Sequence, residues 1–327
     1  MNPDSTLSLL LQLLRGELPP GPLDESTWLS LIQVAGRQTV IGGLYQAAER
    51  FPEDFPVSER VLFTLLTEVN KIVNRNLKLG EVEREVLGIL RSGGLEPVVM
   101  KGSTCAARYP SPELRTGGDI DLYIREADFP RAVELLKTSG IACSPKPDGS
   151  LDATLRGCEV ELHRRYFDLH VREALLPPVG TPEAELVMLS AHIRKHACGV
   201  GVGLRQIIDF TLAYKAYPGD YKELHAIFRR CGLSRWNALL LSFVKQYIDP
   251  AVAVTEPVDP GPLYRIVESG GNFGHFQERR IETLYDKSPL KRKFHTARLF
   301  FGRLPFSFRY APREILPLLA QLFCGNL

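Results

Sequence analysis

The sequence predicts an α+β fold: a small mixed sheet forming a minimal α/β core, embedded in helical N-terminal and C-terminal segments. Three observations predict it. Apolar residues recur at helical spacing up to about residue 92, the period changes to that of strands and short helices over residues 93–175, and the helical period returns over residues 176–327. These three stretches are the expected domain boundaries.

Taking the elements in order, Leu9, Leu10, Leu13 and Leu14 make one apolar stripe, and Pro19, Pro20 and Pro22 stop that helix. Asp24-Glu25-Ser26-Thr27 offers capping groups for a second helix reaching Ala35. After the Pro-rich turn at residues 51–56, Ser58 caps a long helix with Val61, Leu62, Leu65, Leu66, Val69 and Ile72 on its stripe. Gly93-Gly94 ends it near Arg91. Residues 96–100 read as a buried strand, followed by Lys101-Gly102-Ser103 and a short helical piece to Arg108. Residues 119–124 alternate acidic and apolar, the period of a half-buried strand. A helix over residues 128–139 ends at Gly140, and residues 151–155 and 158–163 form a hairpin around Arg156-Gly157. Helices follow over residues 184–197, 204–216, 221–230 and 234–247. Residues 249–262, with four prolines, read as a linker; the last 60 residues read as helical again, with a mobile glycine-rich stretch at residues 269–274.

The chain has 327 residues, 44% hydrophobic and 24% charged, with 40 Lys+Arg against 38 Asp+Glu for a net charge of +2. Those figures exclude a disordered polyanion, a collagen-like repeat and a disulfide-knotted miniprotein. They give no whole-protein case for wrapping nucleic acid. The run at residues 7–14 is broken by Ser8 and Gln12 and lacks the features of a signal peptide, and no run is long enough to span a bilayer. A cytoplasmic protein away from the membrane is expected. Six scattered cysteines without a CxxC pair are expected to be reduced, mostly buried thiols. Residues 278–313 hold ten Lys/Arg and three Asp/Glu among aromatic residues. They read as an amphipathic tail packed on its domain, with an anionic nucleic-acid or membrane surface as the alternative.

Asp119 and Asp121 carry the chemical argument. Two residues apart on a strand, their side chains leave one face with Cα atoms about 6–7 Å apart, while Ile120 and Leu122 point into a core. Neighbouring carboxylates repel unless a cation or proton lies between them, and hard divalent ions such as Mg²⁺ suit them. Glu161, framed by Val160 and Leu162, is the favoured third acid; Glu159, two residues earlier on the same face, is a substitute or outer partner. His163 reads as a strand histidine or a supporting group rather than a ligand. In Lys101-Gly102-Ser103 a strand turns into a helix: Gly102 permits close backbone approach, Ser103 adds a hydroxyl and Lys101 a positive charge, together a seat for a triphosphate. It is not a P-loop, since GxxxxGK[ST] is absent. Arg115 either clamps phosphate oxygens or pairs with Asp119. In the helical half, His192, Lys195 and His196 share one side of a helix. Lys195 is the phosphate-binding candidate there; the alternative is a solvated helix face. Arg205 and Asp209 pair along their own helix if exposed.

The order strand, Gly-Ser, short helix, framed Asp-x-Asp and a later framed acid resembles the polymerase-β-type nucleotidyltransferase superfamily. More narrowly, residues 99–103, Tyr109-Pro110, residues 114–124 and 160–163, with His192, Lys195-His196, Gly203-Leu204-Arg205 and Asp209, resemble a bacterial uncharacterised nucleotidyltransferase-like family. Its marks are a Lys-Gly loop and an Arg-x-x-Gly-Asp-Ile-Asp core, and the match covers roughly residues 95–215. The resemblance implies a minimal nucleotidyltransferase core that binds an NTP, ATP among the candidates, and Mg²⁺, with Mn²⁺ as an alternative. Asp119, Asp121 and Glu161 would hold the metal ions, Gly102 and Ser103 the triphosphate. Glu161 stands where many superfamily members have Asp. Release of pyrophosphate and transfer of a nucleoside monophosphate to a small molecule, protein or RNA is the implied reaction. A catalytically silent nucleotide-binding or protein-interaction module is the other reading. Oligomeric state is not implied.

Overall fold

The computed structural model describes residues 5–53, 55–146, 148–199, 201–271, 301–317 and 319. Along the chain the helices are α1 (Thr6–Leu14), α2 (Glu25–Arg37), α3 (Ile41–Ala48), α4 (Glu59–Ser92), α5 (Ser103–Ala106), α6 (Phe129–Thr138) and α7 (Pro182–Cys198). They continue with α8 (Leu204–Lys215), α9 (Tyr221–Arg230), α10 (Ser234–Tyr247) and α11 (Gly261–Gly270), and residues 301–310 are also helical. The strands are β1 (Val98–Val99), β2 (Ile120–Tyr123), β3 (Ala142–Pro145), β4 (Leu151–Leu155) and β5 (Cys158–His163). The fold is α+β, with two compact units, Met1–Val69 with Leu169–Leu327 and Asn70–Asp168.

The larger unit is helical, and α1, α2, α7 and α9 begin where a side chain satisfies a free N–H group. Asp24 accepts from the Thr27 N–H at 2.7 Å and Thr181 from the Ala184 N–H at 3.2 Å, with Pro182 opening α7. Leu10, Leu31 and Leu44 bury one face each of α1, α2 and α3. Helix α3 has no counterpart in the sequence reading because Gly42-Gly43 lowers its intrinsic helicity. Gly43 is there for contact: a Cβ on it would lie 2.7 Å from Leu14 Cδ2. Arg205 and Asp209 of α8 are buried, so they do not form a solvent-facing pair. Helix α11 begins inside the stretch read as a linker; its Pro262 sits in the first turn, where a missing N–H costs nothing. Residues 272–274 of the glycine-rich stretch and most of the basic-aromatic tail lie outside the described residues.

The smaller unit holds one five-stranded sheet in the order β1-β2-β5-β4-β3. Strands β2 and β5 are parallel, and all other pairs are antiparallel. Ile120, Leu122, Val160, Leu162, Leu151 and Ala153 line its inner face. They pack with Val82, Val86 and Leu90 of α4 and with Phe129, Ala132 and Leu136 of α6. The strict alternation of β2 and β5 therefore sends every second side chain to the opposite, polar face. Gly94, at φ +80°, ends α4 with Leu95 N–H bonded to Leu90 O at 3.1 Å, as its glycine pair suggests. Arg156 and Gly157 both take positive φ, 51° and 72°, the backbone of a two-residue hairpin turn. Strand β1 is shorter than the sequence suggests, since Pro97 has no N–H for a ladder. Strand β3 escapes the sequence reading altogether: it is a mostly exposed edge strand ending in Pro145, with no alternation.

The loop before β2 is fastened to α4. Asn76 donates through Nδ2 to the carbonyls of Glu113 at 2.7 Å and Arg115 at 2.8 Å, and its Oδ1 accepts from Gly117 N–H at 3.1 Å. Arg75 donates to Gly118 O at 2.6 Å. Gly117 has no room for a side chain, since a Cβ would lie 2.4 Å from Asn76 Oδ1 and 2.6 Å from Leu79 Cδ1. Asn76→Ala is expected to lower stability by about 2–3 kcal/mol in urea unfolding, since three hydrogen bonds are lost together. Gly117→Ala is expected to cost about 1–3 kcal/mol by overpacking; an unchanged midpoint in both variants would refute this role for α4.

Candidate functional site

The polar face of the sheet gathers ionic side chains into a row fixed by strand register. Asp121 of β2 lies opposite Glu161 of β5, and Glu161 lies opposite Asp152 of β4. Asp121 is 3% exposed, so its carboxylate depends on its neighbours for compensation. Lys101, between β1 and α5, places Nζ 3.1 Å from Asp121 Oδ2. His163 Nε2 is 2.8 Å from Asp121 Oδ1, and its Nδ1 is 3.7 Å from Glu161 Oε1. Glu161 Oε1 also accepts from Ser150 Oγ at 3.0 Å and meets Lys146 Nζ at 3.0 Å. Lys146 reaches Asp152 Oδ1 at 3.1 Å as well. Three carboxylates thus meet two ammonium groups and one imidazole.

Burial works against the Lys101 ammonium, but the charges of Asp121, Asp119 and Asp168 overcome it and hold its pKa above the usual lysine range. Lys146 follows the same pattern: burial opposes its charge, while Glu161 and Asp152 raise its pKa.

The sequence-predicted residues do not all come together. Asp121, Glu161 and Lys101 come together on the polar face, and Gly102 turns the chain beside them. At φ +72° and ψ −110°, Gly102 has a backbone that a side chain would strain, and a Cβ on it would lie 3.7 Å from the carbonyl oxygen of Asp119. Asp119 is exposed just ahead of β2 and contributes its negative charge to Lys101. Ser103 opens the four-residue α5, and its hydroxyl donates to Glu83 of α4 at 2.7 Å. Arg115 is buried in the loop that Asn76 holds. Glu159 is exposed one pleat away, opposite Thr154. Lys195 belongs to α7 of the other unit, where His192 and His196 hold their rings 4.4 Å apart.

Lys146, Ser150 and Asp152 were not singled out from the sequence. Asp152 was within reach, because a two-residue turn at Arg156-Gly157 sets it opposite Glu161. Lys146 was not, since it arrives from a loop.

Among the described residues, one atom each from Asp121, Glu161 and His163 lie within 4.8 Å of one another. Ligand atoms bound about 2.0–2.2 Å from one ion stand no more than about 4.4 Å apart, so a small closure of this triad suits a divalent cation. The carboxylates stand on the polar face of a sheet whose other face packs on α4 and α6. The chain belongs to the family described as uncharacterised nucleotidyltransferase, which matches residues 24–249. No curated protein and no solved structure matches the chain. Among the described residues no helix is long and apolar enough to cross a membrane.

Lys101→Met removes the cation beside the buried Asp121 and is expected to cost about 3 kcal/mol in chemical denaturation. Because folding raises the Lys101 pKa above 10.5, that stabilisation is full below this pH and is lost as pH rises through the higher folded value. The gap between wild type and variant should therefore stay constant near neutrality and narrow only in strong alkali. A gap that closes below pH 8 would contradict the pairing.

Proposed function

We propose that this protein is a Mg²⁺-dependent nucleotidyltransferase, moving a nucleoside monophosphate from an NTP to an acceptor hydroxyl with release of pyrophosphate. The single observation that supports it best is the register Asp121↔Glu161, which sets two carboxylates side by side on the polar face of a sheet backed by an apolar core.

Asp119, Asp121 and Glu161 would hold the cation, which when bound supplies charge neutralisation for the phosphates and for the entering and leaving oxygens. In this reading Lys101 leaves Asp121 for a phosphate oxygen, and Gly102 lets the backbone approach the triphosphate closely. Ser103 turns its hydroxyl from Glu83 to a phosphate, and Arg115 adds positive charge. Glu161 orients the acceptor hydroxyl and takes its proton. The acceptor oxygen bonds to the α-phosphorus as the bond to the β-bridging oxygen breaks, and pyrophosphate departs with the electron pair. The acceptor class is a small molecule, a protein or RNA.

A second reading is favoured by a specific observation: Lys101 and Lys146 already neutralise Asp121 and Glu161. On that reading the fold is a silent nucleotide-binding or interaction module. Incubation with α-labelled NTPs, Mg²⁺ and an acceptor pool separates the two. Label transfer and pyrophosphate release are expected, falling at least about 100-fold in Asp121→Asn and in Glu161→Gln. NTP-induced thermal stabilisation without pyrophosphate would instead establish the silent module.

A further inference from the structure

The larger, helical unit carries a charged surface that the transferase reading does not use. Helix α9 ends on Arg229 and Arg230, and Arg235 lies in the first turn of α10; all three are exposed. Gly232 sits in the turn between them, and Arg313 packs on it, since a Cβ there would lie 3.0 Å from Arg313 Nη1. Arg309, exposed four residues before Arg313, holds its guanidinium 5.5 Å from the centre of the Tyr310 ring. Tyr310 meets Phe306 with ring centres 4.9 Å apart, and Phe306 meets Trp236, the neighbour of Arg235, at 6.4 Å. The arginines of the C-terminal segment therefore border the same α9–α10 turn as those of the two helices. Phe308, beside Arg309, is 61% exposed.

Among the described residues no carboxylate lies at ion-pair distance from any of these five arginines. Glu314, next to Arg313 in the chain, is buried and gives its oxygens to Arg194 at 2.7 Å and His170 at 2.5 Å. Like charges gathered without counter-charges favour an anionic partner. Guanidinium groups grip phosphate through two parallel N–H bonds and stack on planar rings, and the exposed Phe308 offers a ring face to an unstacked base. A membrane surface asks instead for a broad apolar face. The apolar side of residues 301–310 is turned inward, with Leu304 and Phe306 against Cys198 and Ala311, and the exposed Phe301, Phe308 and Leu316 stand well apart along the chain.

We propose that the α9–α10 turn, with the C-terminal segment packed on it, binds single-stranded RNA, the five arginines holding its phosphates and Phe308 stacking on a base. Phosphates and unpaired bases are the chemistry this surface reads. RNA is the nucleic acid among the acceptor classes of the transferase reading, and its use as acceptor rests on that reading; its binding does not.

A fluorescein-labelled single-stranded RNA oligonucleotide of mixed sequence, titrated with the full-length protein in the absence of NTP and metal and followed by anisotropy, tests it. Phosphate contacts from five arginines predict a loss of affinity of about 100-fold between about 50 and 200 mM salt. The double variant Arg230→Glu/Arg235→Glu should weaken binding at least about tenfold and flatten that salt dependence. Phe308→Ala should weaken single-strand binding about tenfold and leave binding of the same sequence as a duplex unchanged. Melting temperatures of these variants should match the wild type. No binding at low salt, or binding indifferent to the substitutions, would overturn the assignment. Binding to vesicles of equal parts phosphatidylserine and phosphatidylcholine with none to RNA would overturn it in favour of a membrane face. Should the variants fail to fold, the salt dependence of the wild type decides. RNA binding without pyrophosphate release from any NTP would uphold the surface and refute the transferase reading. Transfer of label to another acceptor, with no RNA binding, would do the reverse.

Discussion

Everything about the polar face of the smaller unit follows from one lateral neighbour relation, Asp121 beside Glu161 on parallel strands. Two carboxylates in adjacent ladder positions repel, and Asp121 is too buried for water to screen it. The strands keep this pairing because the opposite face has no alternative. Ile120, Leu122, Val160 and Leu162 must stay against α4 and α6, and slipping either strand by one residue would turn those side chains to solvent and the acids into the core. The hydrophobic effect thus fixes the position of the charges. Lysines, an imidazole and a serine hydroxyl then supply the compensation that this position demands.

Helix α4 extends that constraint to the loops. Within the smaller unit its apolar stripe closes the sheet core, while its polar edge carries Arg75, Asn76 and Glu83 to the segments flanking the site. Asn76 spends two donor hydrogens and its carbonyl on a single loop, which leaves that loop little freedom ahead of β2. A long helix suits this work, since residues three and four apart share a face and can serve core and loop from adjacent stripes. The same device holds Ser103 by Glu83, so the Gly-Ser turn is braced against the helix that buries the sheet.

How much of this could be read in the residues differs from element to element. Strands β2 and β5 were legible because each acid alternates with an aliphatic residue, and the hairpin because Arg156-Gly157 interrupts two such runs. Helix α3 was hidden by its two glycines, whose purpose is a contact with α1 that exists only after packing. Strand β3 was hidden because an exposed edge strand needs no apolar period. In the site, Asp121, Glu161 and Lys101 stand near one another along readable elements, while Lys146 reaches Glu161 from a connection whose path no local pattern encodes.

The chain's residues, read in order, therefore determined the acidic alternation, the glycine that permits a left-handed turn at position 102, and the family to which the whole belongs. Periodicity is a local property, and burial of one strand face forces the chemistry of the other. Tertiary structure alone decided which strand lies beside which, and hence that Glu161 rather than Glu159 adjoins Asp121, that His163 faces both acids, and that two lysines neutralise them. Those choices depend on chain crossings and loop paths, where contacts between residues far apart in sequence compete and only the packed core settles the outcome.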